Sequence, residues 1–109
     1  MQIAETVYKL SRNFPREEMY GMTSQIRRSA ASVAANIAEG YGRENRGSFV
    51  QFLKIAQGSL KETETHLLLS ERVGLVKRKE IDGLLEQSDE LGRMLHSLIR
   101  SIQRKVVSK

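Results

Sequence analysis

The chain has 109 residues, enough for one domain with its own core, and 39% hydrophobic with 28% charged residues is the balance of an ordinary globular protein. It contains no cysteine, which excludes disulfides, thiolate nucleophiles and cysteine zinc sites. The net charge of +5 is unevenly placed: no acidic residue follows Glu90, whereas Arg93, Arg100, Arg104, Lys105 and Lys109 do, which suits an anionic partner such as RNA or DNA, or only the negative end of a helix.

No apolar run approaches the roughly 20 residues of a membrane span. The N-terminus, MQIAETVYKL, lacks the basic start and apolar block of a signal peptide. The expectation is a cytoplasmic protein with no membrane contact.

Helix one is expected over about 2–14, with Ile3, Val7, Leu10 and Phe14 on one stripe. Pro15 closes it, because the residue before a proline is pushed out of the helical region. A second helix is expected over about 16–41, with Pro15, Glu17 and Glu18 suited to its first turn. Gly21 is a weak point within it, after which Thr23 can act as a fresh N-cap. Met22, Ile26, Ala30, Val33 and Ile37 form its apolar face.

The other side of that helix carries small residues, Ser24, Ala31, Ala35 and Ala38, flanked by Arg27 and Arg28. Small side chains let two helices approach closely, so this ridge can meet a second helix or a neighbouring subunit. Gly40 and Gly42 are expected to end the helix in the left-handed conformation. Asn36 is placed to satisfy backbone groups near the Gly40 turn.

The linker GYGRENRG follows, and Asn45 or Ser48 can cap a third helix over about 46–73. Phe49, Phe52, Leu53, Ala56, Leu60, Leu67 and Leu68 are its apolar positions, with Thr63 in the stripe and Gly58 off the seam. Val73-Gly74 is its natural stop. A fourth helix, about 77–106, carries Ile81, Leu84, Leu85, Leu91, Leu95, Leu98, Ile99 and Ile102, and Ser88 interrupts the seam. No segment alternates with the period of a strand. The expected fold is therefore all-α, a single domain over 1–109 forming an antiparallel four-helix bundle. The short first helix leaves part of the core seam for a neighbouring subunit to cover.

Sites for chemistry are scarce. His66 follows Glu62 by four residues, but neither a second Glu-x-x-His pair nor HExxH spacing occurs, so no metal is expected. There is no G-x-S-x-G elbow and no phosphate loop. Enzyme activity and a cofactor are not expected. Four basic groups remain: Arg27 with Arg28, Arg43 with Arg46, Lys54 with Lys61, and the C-terminal cluster. Lys54 and Lys61 are seven apart and point the same way. Such groups suit phosphates, and Tyr8, Tyr20 and Tyr41 could stack on bases. A surface that only solubilises a structural protein fits the same residues.

The blocks FPxEE at 14–18, YGxTSQIRR at 20–28 and NIAEGYGR at 36–43 carry a resemblance. It continues through Phe49, Phe52-Leu53, Ala56, Gly58-Ser59-Leu60 and Glu62-x-Glu64-Thr65, and after Gly74 in pattern alone. The chain resembles the four-helix bundle proteins encoded in intervening sequences of bacterial 23S rRNA genes. That resemblance implies an up-and-down bundle assembling as a ring-shaped homopentamer. It also implies kinship with the accessory variability protein of diversity-generating retroelements, which binds nucleic acid and a reverse transcriptase through a basic surface. No enzyme activity is established for the family. Two departures stand out. Ser32-Val33-Ala34-Ala35-Asn36 stands where members often carry Ser-Ile-Pro-Ser-Asn, which makes the second helix straighter here. Members also begin further upstream, so helix one is short by comparison.

The resulting expectation is a non-enzymatic homo-oligomer that binds structured RNA or DNA. Its candidate contacts are Arg27, Arg28, Arg43, Arg46, Lys54 and Lys61, followed by Arg100, Arg104 and Lys105. Ser24, Ala31, Ala35, Asn36, Ala38 and Gly40 are the candidates for packing and assembly. The alternative is a protein-interaction scaffold, for example for a reverse transcriptase, that makes no direct nucleic-acid contact.

Overall fold

The computed structural model describes the backbone of residues 2–107 and the side chains of residues 2–104. Four α-helices follow one another: α1 (Gln2–Ser11), α2 (Met22–Tyr41), α3 (Arg46–Arg72) and α4 (Arg78–Val107), with a single 3-10 turn at Arg16–Glu18. Among the described residues there is no strand. Each helix packs on its chain neighbours, and α1 closes the circuit against α4. The result is an up-and-down four-helix bundle, 53 × 23 × 18 Å.

The first two helix ends differ from the sequence-based expectation. Helix α1 stops at Ser11 rather than 14, and its last turn tightens: Asn13 N donates to Leu10 O and Phe14 N to Ser11 O, both three residues back. Pro15 holds Phe14 out of the helix, yet Phe14 still reaches the core. The stretch 16–41 is likewise not one helix. The 3-10 turn and Gly21 separate Pro15 from α2, and Gly21 occupies the N-cap position. Thr23 does not cap. It is buried inside α2, and the Glu18 carboxylate accepts from Met22 N at 3.3 Å instead.

The other ends are set by chemistry visible in the chain. Asn45 caps α3, its Oδ1 accepting from Ser48 N at 2.7 Å. Helix α3 ends in a Schellman motif, where Leu75 N donates to Ser70 O and Gly74 N to Glu71 O. Gly74, at φ +85°, is the only described residue with a positive φ. Gly40 and Gly42 therefore do not end α2 by left-handed geometry. Helix α2 runs through Gly40 to Tyr41, and Gly42 stays right-handed at φ −83°. Gly40 is needed for another reason, since a Cβ there would lie 3.1 Å from the Phe49 ring.

The apolar stripes meet in two linked clusters. Val7, Phe14, Ile26, Ala30, Leu67, Val76, Ile81 and Leu84 fill the end that holds α1. Val33, Leu53, Ala56, Leu60, Leu95, Ile99 and Ile102 fill the end near the α2–α3 turn, and Ile3 touches both clusters. Leu68, expected in the core, is 39% exposed, because the stripe of α3 has rotated past it to Leu67.

The closest pairing, α2 on α3, is a polar seam of small residues. Thr63 Oγ1 donates to Ser59 O at 2.9 Å and lies 3.0 Å from Ser29 Oγ, within hydrogen-bond reach. Ser32 Oγ lies 2.8 Å from Ser59 Oγ, and Asn36 Nδ2 donates to Ser32 O. Asn36 thus bonds one turn back along α2 rather than forward to the Gly40 turn. Each hydroxyl is satisfied, so the helices approach closely without orphaned polar groups.

Helix α1 is 10 residues long against 20 for α2 and 30 for α4. Beyond its start the fourth lane of the bundle is open, a groove of about 240 Å³ lined mainly by Ile3, Ala4, Val33, Ala34, Leu91 and Met94. Among the described residues no helix is long and apolar enough to cross a membrane.

Candidate nucleic-acid interface

The candidate cations separate into those the fold uses and those it leaves free. Arg27 ties α2 to α1: its Nε donates to Ser11 Oγ at 2.7 Å, and its guanidinium lies 4.7 Å from the centre of the Tyr8 ring. Arg28 binds Gln25 and, across the α2–α3 seam, Glu62. That guanidinium holds the Glu62 carboxyl below the usual carboxylate range. Glu62 also sits 3.4 Å from His66 Nε2, and the buried Nδ1 of His66 has no hydrogen-bond partner. Arg43 pairs with Glu39 at 2.8 Å and covers the Phe52 ring. These three arginines are structural partners first.

Arg46, Lys54, Arg100 and Arg104 are exposed and make no ion pair among the described residues. The side chain of Lys105 and the whole of Lys109 lie outside the described residues. The pair Arg27 and Arg28 stands roughly 20 Å along α2 from the turn that carries Arg43 and Arg46. The six first-choice cations therefore do not form one patch.

What the fold does bring together is an open groove of about 800 Å³ between α3 and α4. Lys54 and Lys61 line it from α3, as their spacing implies, and Arg93 and His96 line it from α4. The two helices run antiparallel there, since Leu67 packs with Ile81 and Leu84 at one end of the bundle and Leu53 and Leu60 with Leu95, Ile99 and Ile102 at the other. Helical spacing continues the α4 side through Arg100 and Arg104. One lane of cations thus runs from mid-bundle to the α2–α3 turn.

Two carboxylates share the groove. Glu64 pairs with Lys61 at 3.4 Å and Asp89 with Arg93 at 2.9 Å. The Lys61 and Arg93 side chains remain 81% and 80% exposed, so water screens both pairs and a phosphate can exchange for either carboxylate. Arg93 and His96 were absent from the sequence-based contacts. Their signal was the spacing of Arg93, His96, Arg100 and Arg104 on one face of α4.

The tyrosines divide as well. Tyr8 lies under Arg27, and Tyr41 packs on Phe49 with ring centres 4.9 Å apart. Tyr20 is 95% exposed but lies at the far end, beside Gly21. Of the packing candidates, Ser24, Ala31, Ala35 and Ala38 are exposed, Asn36 is half-buried in the α2–α3 seam, and Gly40 is buried against Phe49. The ridge that meets α3 is therefore Ser29, Ser32 and Asn36, one helical face away from the alanines. Among the described residues, no three His, Cys, Asp or Glu side chains cluster as metal ligands would.

The family model described as 23S rRNA-intervening sequence protein matches residues 1–97. The match runs past Thr65, where the quoted blocks end, covers the stretch after Gly74 that resembles the family in pattern alone, and stops before Arg100. A crystal structure of a protein with unknown function from the S23 ribosomal protein family of Bacteroides thetaiotaomicron is also similar. It is 31% identical, with 90% of this chain and 92% of that chain covered and a TM-score of 0.80. No curated protein matches the chain.

Proposed function

The chain belongs to the 23S rRNA-intervening sequence protein family, and from that premise we propose that it is a non-enzymatic bundle that binds RNA or DNA through the basic α3–α4 groove. The observation that carries the reading is the convergence of Lys54 and Lys61 with Arg93 and His96 in that groove. Lys54, Arg100 and Arg104 offer charge that no carboxylate among the described residues pairs with. Cations left unpaired in a line are what a phosphodiester backbone requires. Arg27, Arg28 and Arg43 support this interface by holding the helices in place rather than by contacting phosphate.

The protein is also read as a homo-oligomer. The supporting observation is the open apolar lane beside Val33, Leu91 and Met94, with Met94 63% exposed. A ring of five subunits, which the resemblance implies, is the form this proposal takes, placed in the cytoplasm. The rival is a scaffold for a protein such as a reverse transcriptase, with charges that serve only solubility.

Charge reversal separates the two. Lys54→Glu with Lys61→Glu should weaken binding of a structured RNA by about tenfold or more at low salt, read by fluorescence anisotropy. Both side chains are exposed, so the melting temperature should hold. Unchanged RNA affinity in the double variant, or no RNA binding by the wild type at low salt, would favour the scaffold.

A further inference from the structure

The α3–α4 groove has a floor as well as rims. Gly58 and Gly92 both line it, each in the interior of a long helix, where glycine is the weakest helix former after proline. Packing does not demand them. A Cβ at Gly58 would meet nothing within 4 Å, and one at Gly92 would make only an ordinary contact with Leu60. Alanine would fit both sites and strengthen both helices, so the space they leave is not used by the fold itself. Gly83 on α4 is similarly open but lies outside the groove, so the convergence of Gly58 and Gly92 with the cations is the informative feature.

A second observation points the same way. Ser88 lines the groove, is 1% exposed, and its hydroxyl has no hydrogen-bond partner. A buried hydroxyl without a partner is uncommon in a finished core. Here it lies beneath the stretch where the side chains on both helices are smallest, Gly92 and Ser88 on α4 and Gly58 on α3.

We infer that the groove is shaped for a single polynucleotide strand rather than a duplex. The inference rests on the nucleic-acid reading given above and names its substrate class. Neighbouring helices in a bundle lie about 8–10 Å apart, so the furrow between them is narrow. A duplex, wider than the furrow, rests on its rims and stays off the Gly58 and Gly92 floor. A single strand can enter, with sugars or bases over Gly58 and Gly92 and phosphates facing Lys54, Lys61 and Arg93. The lane onward to Arg104 spans about 16 Å from Arg93, a few nucleotides of backbone. The shared chemistry is the unpaired phosphodiester strand, whether ribose or deoxyribose.

The test fills the floor without touching a charge. Binding of a twenty-nucleotide oligouridylate, the matching oligothymidylate and a duplex of equal length is measured at low salt for the full chain, Gly58→Ala and Gly58→Leu. The single strands should bind the wild type more tightly than the duplex. Gly58→Leu should lose about tenfold in strand affinity while duplex affinity stays level, and Gly58→Ala should melt at or above the wild-type temperature. A difference between the ribose and deoxyribose strands identifies which one the groove prefers. Equal affinity for duplex and strand, or an unaltered Gly58→Leu, overturns the inference and leaves the basic-surface reading in place. Absence of binding by every oligonucleotide overturns both.

Discussion

Arg27 shows how a residue with the right charge can belong to the fold instead of the interface. By sequence it is half of a conspicuous Arg-Arg pair. In the bundle its Nε donates to Ser11 Oγ at 2.7 Å, and its plane lies over Tyr8. A hydrogen bond from a charged group to a partly buried hydroxyl contributes about 1.5–3 kcal/mol. Arg27→Ala should therefore cost about 1–3 kcal/mol in a denaturant titration and leave RNA affinity within about twofold of wild type. A variant with native stability and lost RNA binding would return Arg27 to the interface. The sequence carried the charge of Arg27 but not its partner, because Ser11 is sixteen residues away and reaches it only after Pro15 and Gly21 turn the chain. Gly40 makes the same point differently. Its position at a helix end was legible, but its cause is the Phe49 ring across the turn, a contact that no local pattern encodes.

At the scale of elements, helical periodicity located the helices well wherever one apolar face dominates. Helix α3 begins at the expected residue and ends one residue early, and α4 is displaced by one residue at its start. The failure came between Pro15 and Met22, where tertiary burial of Phe14 and the backbone freedom of Gly21 decide the path together. The pairing of α2 with α3 was also only half legible. A small-residue surface was visible, but the alanine ridge and the serine ridge lie on adjacent faces, and only the hydroxyls find partners on α3 at Ser59 and Thr63. The short α1 gives the other element-scale consequence, an apolar lane with Met94 on its edge. Under the oligomer proposal, light scattering on the eluted protein should give a mass several times the 12.4 kDa protomer. Met94→Lys should lower that mass while the helical circular dichroism at room temperature is kept, since the side chain is mostly exposed in the single protomer. A wild-type monomer would contradict the proposal.

For the whole molecule, the bundle acts as a frame that sorts charge. A hydrogen bond to Ser11 and the Tyr8 ring occupy Arg27, and ion pairs with Glu62 and Glu39 occupy Arg28 and Arg43, while Lys54, Arg100 and Arg46 make no ion pair among the described residues. Net charge alone announced that cations were in excess. Only the antiparallel register of α3 and α4 showed that Lys54 and Lys61 share a groove with Arg93 and His96. That register depends on which turns pack together over long sequence separations, so it could not be read from local spacing. The groove also links the two proposals made for it, since phosphate contacts supply affinity and the glycine floor supplies the choice of strand.

The most direct test of the central claim is the salt dependence of RNA binding. If Lys54, Lys61, Arg93 and Arg100 each neutralise one phosphate of a single strand, the logarithm of the affinity should fall against the logarithm of salt with a slope of about −3. That slope should flatten by about 0.7 units for each of the two lysines replaced by glutamine. A slope near zero, or one indifferent to Lys54→Gln and Lys61→Gln, would contradict binding through this groove.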